Sequence, residues 1–299
     1  MFLMMTSLNI IRGRKLPGTI NIHLTRRCNF GCQFCYAQFT ECRVGQIPAE
    51  DLRLLLAAIG STPPLPDGRR RKVNFAGGEP LLYTGLADAI EFSKRLGLTT
   101  SIVTNGSLLN EPTISHLAGR LDICAISVDS GLGATNKALG RCGKTFRPDE
   151  RFYLTLGQRI KAANIRLKIN TVVNRLNLEE NLSDLISKLR PFRWKLFQVK
   201  KVIGQNDKSF DGLAISEMEF EDFVARNSRE LVPGILVVPE TAHDMTGSYA
   251  MIAPNGCFFD SAVGIHRYSR PILEVGVCEA FQDVVFDADK FENRGGLYE

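Results

Sequence analysis

Three cysteines, Cys28, Cys32 and Cys35, fall inside RRCNFGCQFCYA and are the residues of this 299-residue chain best suited to chemistry. Their C-x3-C-x2-C spacing lets one loop turn three thiolates toward a common point. Iron–sulfur clusters take thiolate ligands, and a cubane held by three cysteines leaves one iron open to an outside ligand. The same spacing admits a zinc site, with His23 or Cys42 as fourth ligand, or a redox pair in Cys32-x2-Cys35. The other cysteines, Cys42, Cys124, Cys142, Cys257 and Cys278, are isolated from one another and read as small buried apolar residues. GRCGKT at Gly140 to Thr145 is not a phosphate-binding P-loop, because that motif requires glycine where Ala138 stands.

The cysteines follow a short apolar, β-branched run, TINIHL at Thr19 to Leu24, and precede a helix pattern at Leu52, Leu55, Leu56 and Ile59. Five similar units come after it. Strands are expected at Lys72 to Phe75, Ser101 to Val103, Ile123 to Val128, Arg166 to Val173 and Lys195 to Val202. Helices are expected at Leu86 to Leu96, around Ile114, at Phe152 to Ala163, along Leu182, Leu185, Ile186 and Leu189, and along Phe220, Phe223 and Val224. Six βα units imply a parallel sheet covered by helices, and a partial (β/α)6 barrel buries both faces most simply. Beyond about Leu231 the pattern changes to ILVVPE, a hairpin SYAMIAPNGCFFD turning at Pro254 to Gly256, and a mixed tail. The expected division is an N-terminal segment, 1–18, a barrel, 19–230, and a C-terminal extension, 231–299, that caps the active site.

Three further motifs end strands on the side where barrel ligands bind: GGEP from Gly77, TNG at Thr104 to Gly106 and SVDS at Ser127 to Ser130. Together with the cysteine spacing, this arrangement resembles the radical S-adenosylmethionine (SAM) superfamily. The resemblance implies a [4Fe-4S] cluster on Cys28, Cys32 and Cys35, whose open iron chelates the amino and carboxylate groups of SAM. It implies Tyr36 beside the adenine, and Gly77, Gly78 and Glu79 around the SAM amino group. Asn105 and Ser127 are candidates for the ribose and methionine ends; as polar residues at strand ends they also read as helix caps.

Longer strings, KINTVVNRLN from Lys168, FRWKLFQ from Phe192, SIVTNGS from Ser101, DICAISVDS from Asp122, ILEVGVCEA from Ile272 and FENRGGLY from Phe291, resemble the viperin family over about Asn21 to Tyr298. That resemblance implies conversion of a ribonucleoside triphosphate, CTP favoured with UTP as rival, to its 3′-deoxy-3′,4′-didehydro form, an antiviral chain terminator. Lys72, Arg141, Lys168, Arg193 and Lys195 lie at or beside strands, where a buried charge needs an opposite one. Three phosphates are suitable partners, and acidic side chains are the alternative. The family implies that these positions grip the triphosphate with Asn170 nearby, and that Tyr249 acts close to the reaction as a hydrogen-bonding or proton-transfer group. The loop Tyr36 to Cys42 departs from vertebrate viperins and is expected to bear on base choice.

Lys and Arg number 37 against 32 Asp and Glu, so the net charge of +5 suits anionic small molecules and is too small to indicate nucleic acid or membrane as partners. A zinc-stabilised nucleic-acid-binding module would explain the cysteines and the charge but not GGEP or the βα pattern. The opening run MFLMM lacks the basic flank and cleavage site of a secretory signal. The expectation is a cytoplasmic monomer that draws electrons from a reductase or from a flavodoxin or ferredoxin.

Overall fold

The computed structural model describes residues 14–296; the opening apolar run, most of the 1–18 segment, and Leu297 and Tyr298 of FENRGGLY lie outside the described residues. Strands β1 (Thr19–His23), β2 (Lys72–Ala76), β3 (Thr99–Thr104), β4 (Ile123–Ser127), β5 (Arg166–Val173) and β6 (Arg193–Gln198) pair in sequence order, all parallel. Helices follow each strand, as the six-unit pattern predicts. The first, Ala49–Gly60, buries Leu52, Leu55, Leu56 and Ile59, one stripe at i, i+3, i+4 and i+7. In the sixth unit, Glu217–Ser228 starts at a reciprocal cap between Ser216 and Glu219 and buries Phe220 and Phe223. The sixth strand runs Arg193–Gln198 rather than Lys195 to Val202, because Trp194 already faces the core and the chain leaves the ladder after Gln198.

The last quarter of the chain extends the same sheet at both edges. β7 (Leu236–Glu240) pairs parallel with β6; β8 (Ala250–Ile252) pairs parallel with β1, and β9 (Cys257–Asp260) and β10 (Arg267–Pro271) follow antiparallel. The ten-stranded order is β10-β9-β8-β1-β2-β3-β4-β5-β6-β7. β10 and β7 do not pair with each other among the described residues, so the barrel is partial, and the extension forms its side walls. The β8–β9 turn falls at Pro254 to Gly256, with Gly256 at φ 75°. No helix among the described residues is long and apolar enough to cross a membrane.

Three glycines seat the cysteine loop. A Cβ on Gly77 would stand 2.6 Å from the Thr25 carbonyl oxygen, one on Gly78 2.0 Å from that of Arg27, and one on Gly140 2.1 Å from that of Gly31. Backbone bonds lock these approaches: Gly78 N–H donates to Thr25 O (2.6 Å), Glu79 N–H to Arg27 O (2.8 Å) and Gly31 N–H to Gly140 O (3.0 Å). Gly77 and Gly140 also adopt φ of 136° and 70°, values L side chains rarely take. The glycine pair of GGEP therefore has a packing duty toward the cysteines. Gly78→Ala and Gly140→Ala should each cost about 1–3 kcal/mol through overpacking, read as a lower thermal midpoint and lower iron content on reconstitution. Gly31→Ala, with no atom within 4 Å of its Cβ position, should change neither.

Candidate active site

A cavity of about 290 Å³ opens inside the barrel. Its roof is the cysteine loop, where Cys28, Cys32 and Cys35 line it with Tyr36, Gly77, Gly78, Asn105 and Ser127. Burial pushes all three thiols up, Cys32 to about 12. Among the described residues no three His, Cys, Asp or Glu side chains converge on a single-ion site. The thiols nonetheless sense one another's charge, and three thiolates facing one cavity are the donor set of a site-differentiated cubane. The zinc alternative lacks its fourth ligand. His23 is packed edge-on against Tyr36, Phe39 and Phe259 (centroids 6.2, 5.2 and 5.3 Å) with neither ring nitrogen hydrogen-bonded, and Cys42 is buried in an apolar cluster with Phe39 and Met251. Burial, then His266, lowers the His23 imidazole to about 3, so it faces the cavity uncharged.

Glu79 is buried, with its carboxylate accepting from Thr104 Oγ1 (2.7 Å), Asn105 N–H (2.9 Å) and Leu81 N–H (3.1 Å). It therefore ties the GGEP turn to the end of β3. Burial raises its pKa against those hydrogen bonds. The Asn105 amide reaches Asn29 Oδ1 (2.9 Å) and Cys28 Sγ (4.0 Å), joining the same turn to the cysteine loop.

Basic residues line the cavity too: Lys168 on β5, Lys195 on β6 and Arg294 from the C-terminal segment. Lys72 on β2 and Arg193 on β6 are buried next to them without lining it. Burial, then repulsion from Lys168, Lys195, Arg193 and Arg294, drives Lys72 well below the ordinary lysine range; burial, then Arg193, lowers Lys168 to about 7. The buried carboxylate facing them among the described residues is Glu240, at the end of β7. It pairs with Lys195 and Arg294 and accepts a hydrogen bond from Tyr249 Oη. Burial opposes charge on Glu240, yet the two cations outweigh it and hold the carboxyl below its usual range. Tyr249 also accepts from Lys195 Nζ (2.9 Å) and lies under the Arg294 guanidinium, 3.7 Å from the ring centroid; burial keeps its phenol protonated. A hydrogen-bonding role is what this geometry carries. Arg193 donates to the carbonyls of Arg294 (3.1 Å) and Gly295 (2.7 Å), pinning the tail to the basic wall. Asn170 presents a buried Oδ1 that accepts no hydrogen bond among the described residues.

Arg141 does not join that group. It forms a buried ion pair with Asp129, stacks 5.3 Å from the Phe34 ring and senses the Cys32 thiol. Its buried charge is met by Asp129, which also accepts from Val172 N–H (2.7 Å). Of the scattered cysteines, Cys278 is exposed and Cys142 half-buried, contrary to the apolar reading. The Tyr36 to Cys42 loop gives only Tyr36 and Ala37 to the cavity; Glu41 turns away to His266, Tyr268 and Gln205. Asp129, Glu240 and Arg294 escaped sequence reasoning, although SVDS, ILVVPE and FENRGG each displayed one of them.

Residues 22–187 match the radical SAM superfamily. The chain is 39% identical over 290 residues to an S-adenosylmethionine-dependent nucleotide dehydratase of Flammeovirga pacifica, covering 97% of this chain and 98% of that one. It is 33% identical over 293 residues to the S-adenosylmethionine-dependent nucleotide dehydratase RSAD2 of Oncorhynchus mykiss, covering 94% and 80%. Streptococcus suis SuiB bound to S-adenosylmethionine shares the fold, with a TM-score of 0.67 at 18% identity over 93% of this chain and 67% of that one. A [4Fe-4S] cluster and SAM are the cofactors of this fold family, and the three-cysteine roof fits them. The chain therefore belongs to the radical SAM superfamily and, within it, to the viperin-like SAM-dependent nucleotide dehydratases.

Proposed function

We propose that this protein dehydrates a pyrimidine ribonucleoside triphosphate, CTP ahead of UTP, to its 3′-deoxy-3′,4′-didehydro form, which ends growing viral strands. One observation carries the reading: Lys168 on β5, Lys195 on β6 and Arg294 line the same cavity as the three cysteines, with buried Lys72 and Arg193 close enough for the cations to repel one another. A triphosphate relieves that repulsion and leaves the ribose between the basic wall and the roof. The cluster and SAM, when bound, supply an electron and a carbon-centred radical able to take a hydrogen atom from the ribose.

In this reading Cys28, Cys32 and Cys35 hold the cluster. The Gly77–Glu79 turn, Tyr36, Asn105 and Ser127 receive SAM, the glycines through their backbone and Glu79 by fixing the turn. Lys72, Lys168, Asn170, Arg193 and Lys195, joined by Arg294, bind the triphosphate, while Tyr249 and Glu240 hold Lys195 and Arg294 in place. Charged hydrogen bonds in a buried site are worth about 1.5–3 kcal/mol each, enough to fix the ribose within reach of the radical. The protein acts as a cytoplasmic monomer reduced by a flavodoxin- or ferredoxin-type donor.

Cys32→Ala should lose both the cluster absorbance and SAM cleavage, whereas Cys257→Ala and Cys278→Ala should keep full iron content; an iron-replete, active Cys32→Ala protein defeats the ligand assignment. CTP should bind at least tenfold more tightly than cytidine. Because Lys168 titrates near 7 in the free protein and a bound triphosphate raises that value, binding takes up a proton above neutrality. CTP affinity should therefore fall as pH rises through about 7. Lys168→Arg, which stays protonated throughout, should flatten this profile by calorimetry. With CTP, UTP and GTP competing in one anaerobic reaction, the CTP product should dominate, and GTP dominance overturns the pyrimidine reading.

A further inference from the structure

Shortly after the third cysteine the chain takes a backbone conformation that side chains rarely adopt. Phe39 sits at φ 52°, in the left-handed region, where a bulky residue is an outlier. Its ring is fully buried and packs against His23, Phe259 and His266, with centroids 5.2, 5.2 and 5.4 Å away. The reversal divides the loop: Tyr36 and Ala37 line the cavity before it, and Glu41 turns away after it. A strained conformation of this kind persists only where its surroundings over-determine it.

The group that holds it is the Gln205 carboxamide. Its Oε1 accepts the Phe39 N–H (2.7 Å) and its Nε2 donates to Glu41 Oε2 (2.5 Å), so one side chain ties both limbs of the turn. Gln205 is buried and belongs to a segment after β6 that grips the cysteine loop at further points. Thr40 Oγ1 donates to Gly204 O (2.6 Å), Asn206 Nδ2 to Phe34 O (3.0 Å) and Ser209 Oγ to Gln33 O (2.8 Å). The other Glu41 oxygen is fixed by His266 Nδ1 (2.8 Å) and Tyr268 Oη (2.5 Å). Gln205 must accept and donate at once, which a carboxylate cannot do.

We propose, resting on the functional reading above in which Tyr36 receives SAM, that Gln205 is a positioning residue for SAM: it holds Phe39 in its left-handed turn and so fixes Tyr36 in the cavity. Two links carry the effect from Phe39 to Tyr36. One is the short stretch of backbone between them; the other is the His23 ring, packed edge-on against both (5.2 and 6.2 Å). Gln205 is not among the residues that line the cavity, so its influence on SAM passes through the loop. Glu41 is the second half of the device. Exchanging the two, Glu41→Gln with Gln205→Glu, keeps an acceptor for the Phe39 N–H, a donor between the side chains and an acceptor for Tyr268. Gln205→Glu alone sets two carboxylates face to face.

The test uses the anaerobic, cluster-loaded protein. SAM affinity is read by calorimetry and by the change that SAM produces in the EPR signal of the dithionite-reduced cluster. Gln205→Glu should weaken SAM binding about tenfold and raise the KM for SAM in dithionite-driven cleavage to match. Iron content, kcat and the EPR signal without SAM should stay as they are. The paired exchange Glu41→Gln with Gln205→Glu should bring SAM affinity back to within about twofold of the unaltered protein. In a Tyr36→Leu background Gln205→Glu should cost less than about twofold, because the group it acts through is gone. Unchanged SAM affinity in Gln205→Glu overturns the proposal, as does a paired exchange that restores nothing. Iron lost in step with SAM affinity also overturns it, since Gln205 would then support the cluster rather than the SAM contact. Tyr36→Leu that binds SAM as tightly as the unaltered protein counts instead against the place given to Tyr36 in the functional reading. Absence of nucleotide product with SAM cleavage intact counts against the dehydratase reading alone.

Discussion

The site depends on backbone approaching backbone with no side chain between. At Gly77, Gly78 and Gly140 the cysteine loop lies so close to the turn after β2 and to the segment around Gly140 that a single methyl group would overlap a carbonyl oxygen. Three cysteines on a free loop would carry a large entropy cost of ordering on cluster binding. Here that cost is met during folding, by hydrogen bonds from Gly78, Glu79 and Gly31 and by Asn105 bridging to Asn29. The buried Asp129–Arg141 pair adds a support beneath Cys32.

The basic wall shows the opposite economy. Folding brings Lys72, Lys168, Arg193, Lys195 and Arg294 together, and burial, then their mutual repulsion, lowers Lys168 and Lys72. Removing Glu240 would leave Lys195 and Arg294 without the carboxylate that pairs them, and breaking a buried pair costs more than the pair itself contributes. Tyr249 then has a physical reason for its place: one hydroxyl donates to Glu240 and accepts from Lys195, tying the acid and the lysine together.

Much of this was legible because it is local in sequence. The cysteine spacing, the glycine pair and the alternation of β-branched runs with helical stripes each lie within one short window, and the six parallel strands follow from them. The rest is long-range. Nothing in FENRGG announces that Arg294 will stack on Tyr249, or in ILVVPE that Glu240 will close the charge arrangement of β6, since these contacts join segments brought together only by the completed sheet. Arg141 illustrates a subtler point: its charge calls for an anion, but pattern alone does not distinguish an aspartate twelve residues upstream from a ligand phosphate. Glu79 shows the same ambiguity, because its carboxylate is occupied by three protein donors.

The position of β8 has a consequence for how the molecule is made. β1 takes one neighbour from β2 and the other from β8, far later in the chain, pairing Ile20 with Ala250. Until β8 is synthesised, the strand that launches the cysteine loop remains an open edge, and such edges invite pairing with other chains. Contacts of that sequence separation form slowly. The wall behind His23, built by Phe259, also arrives late. Cluster loading into a properly walled pocket is therefore an event of the finished chain, and nascent chains stalled before β8 would expose both reactive thiols and an unpaired strand to chaperones and proteases.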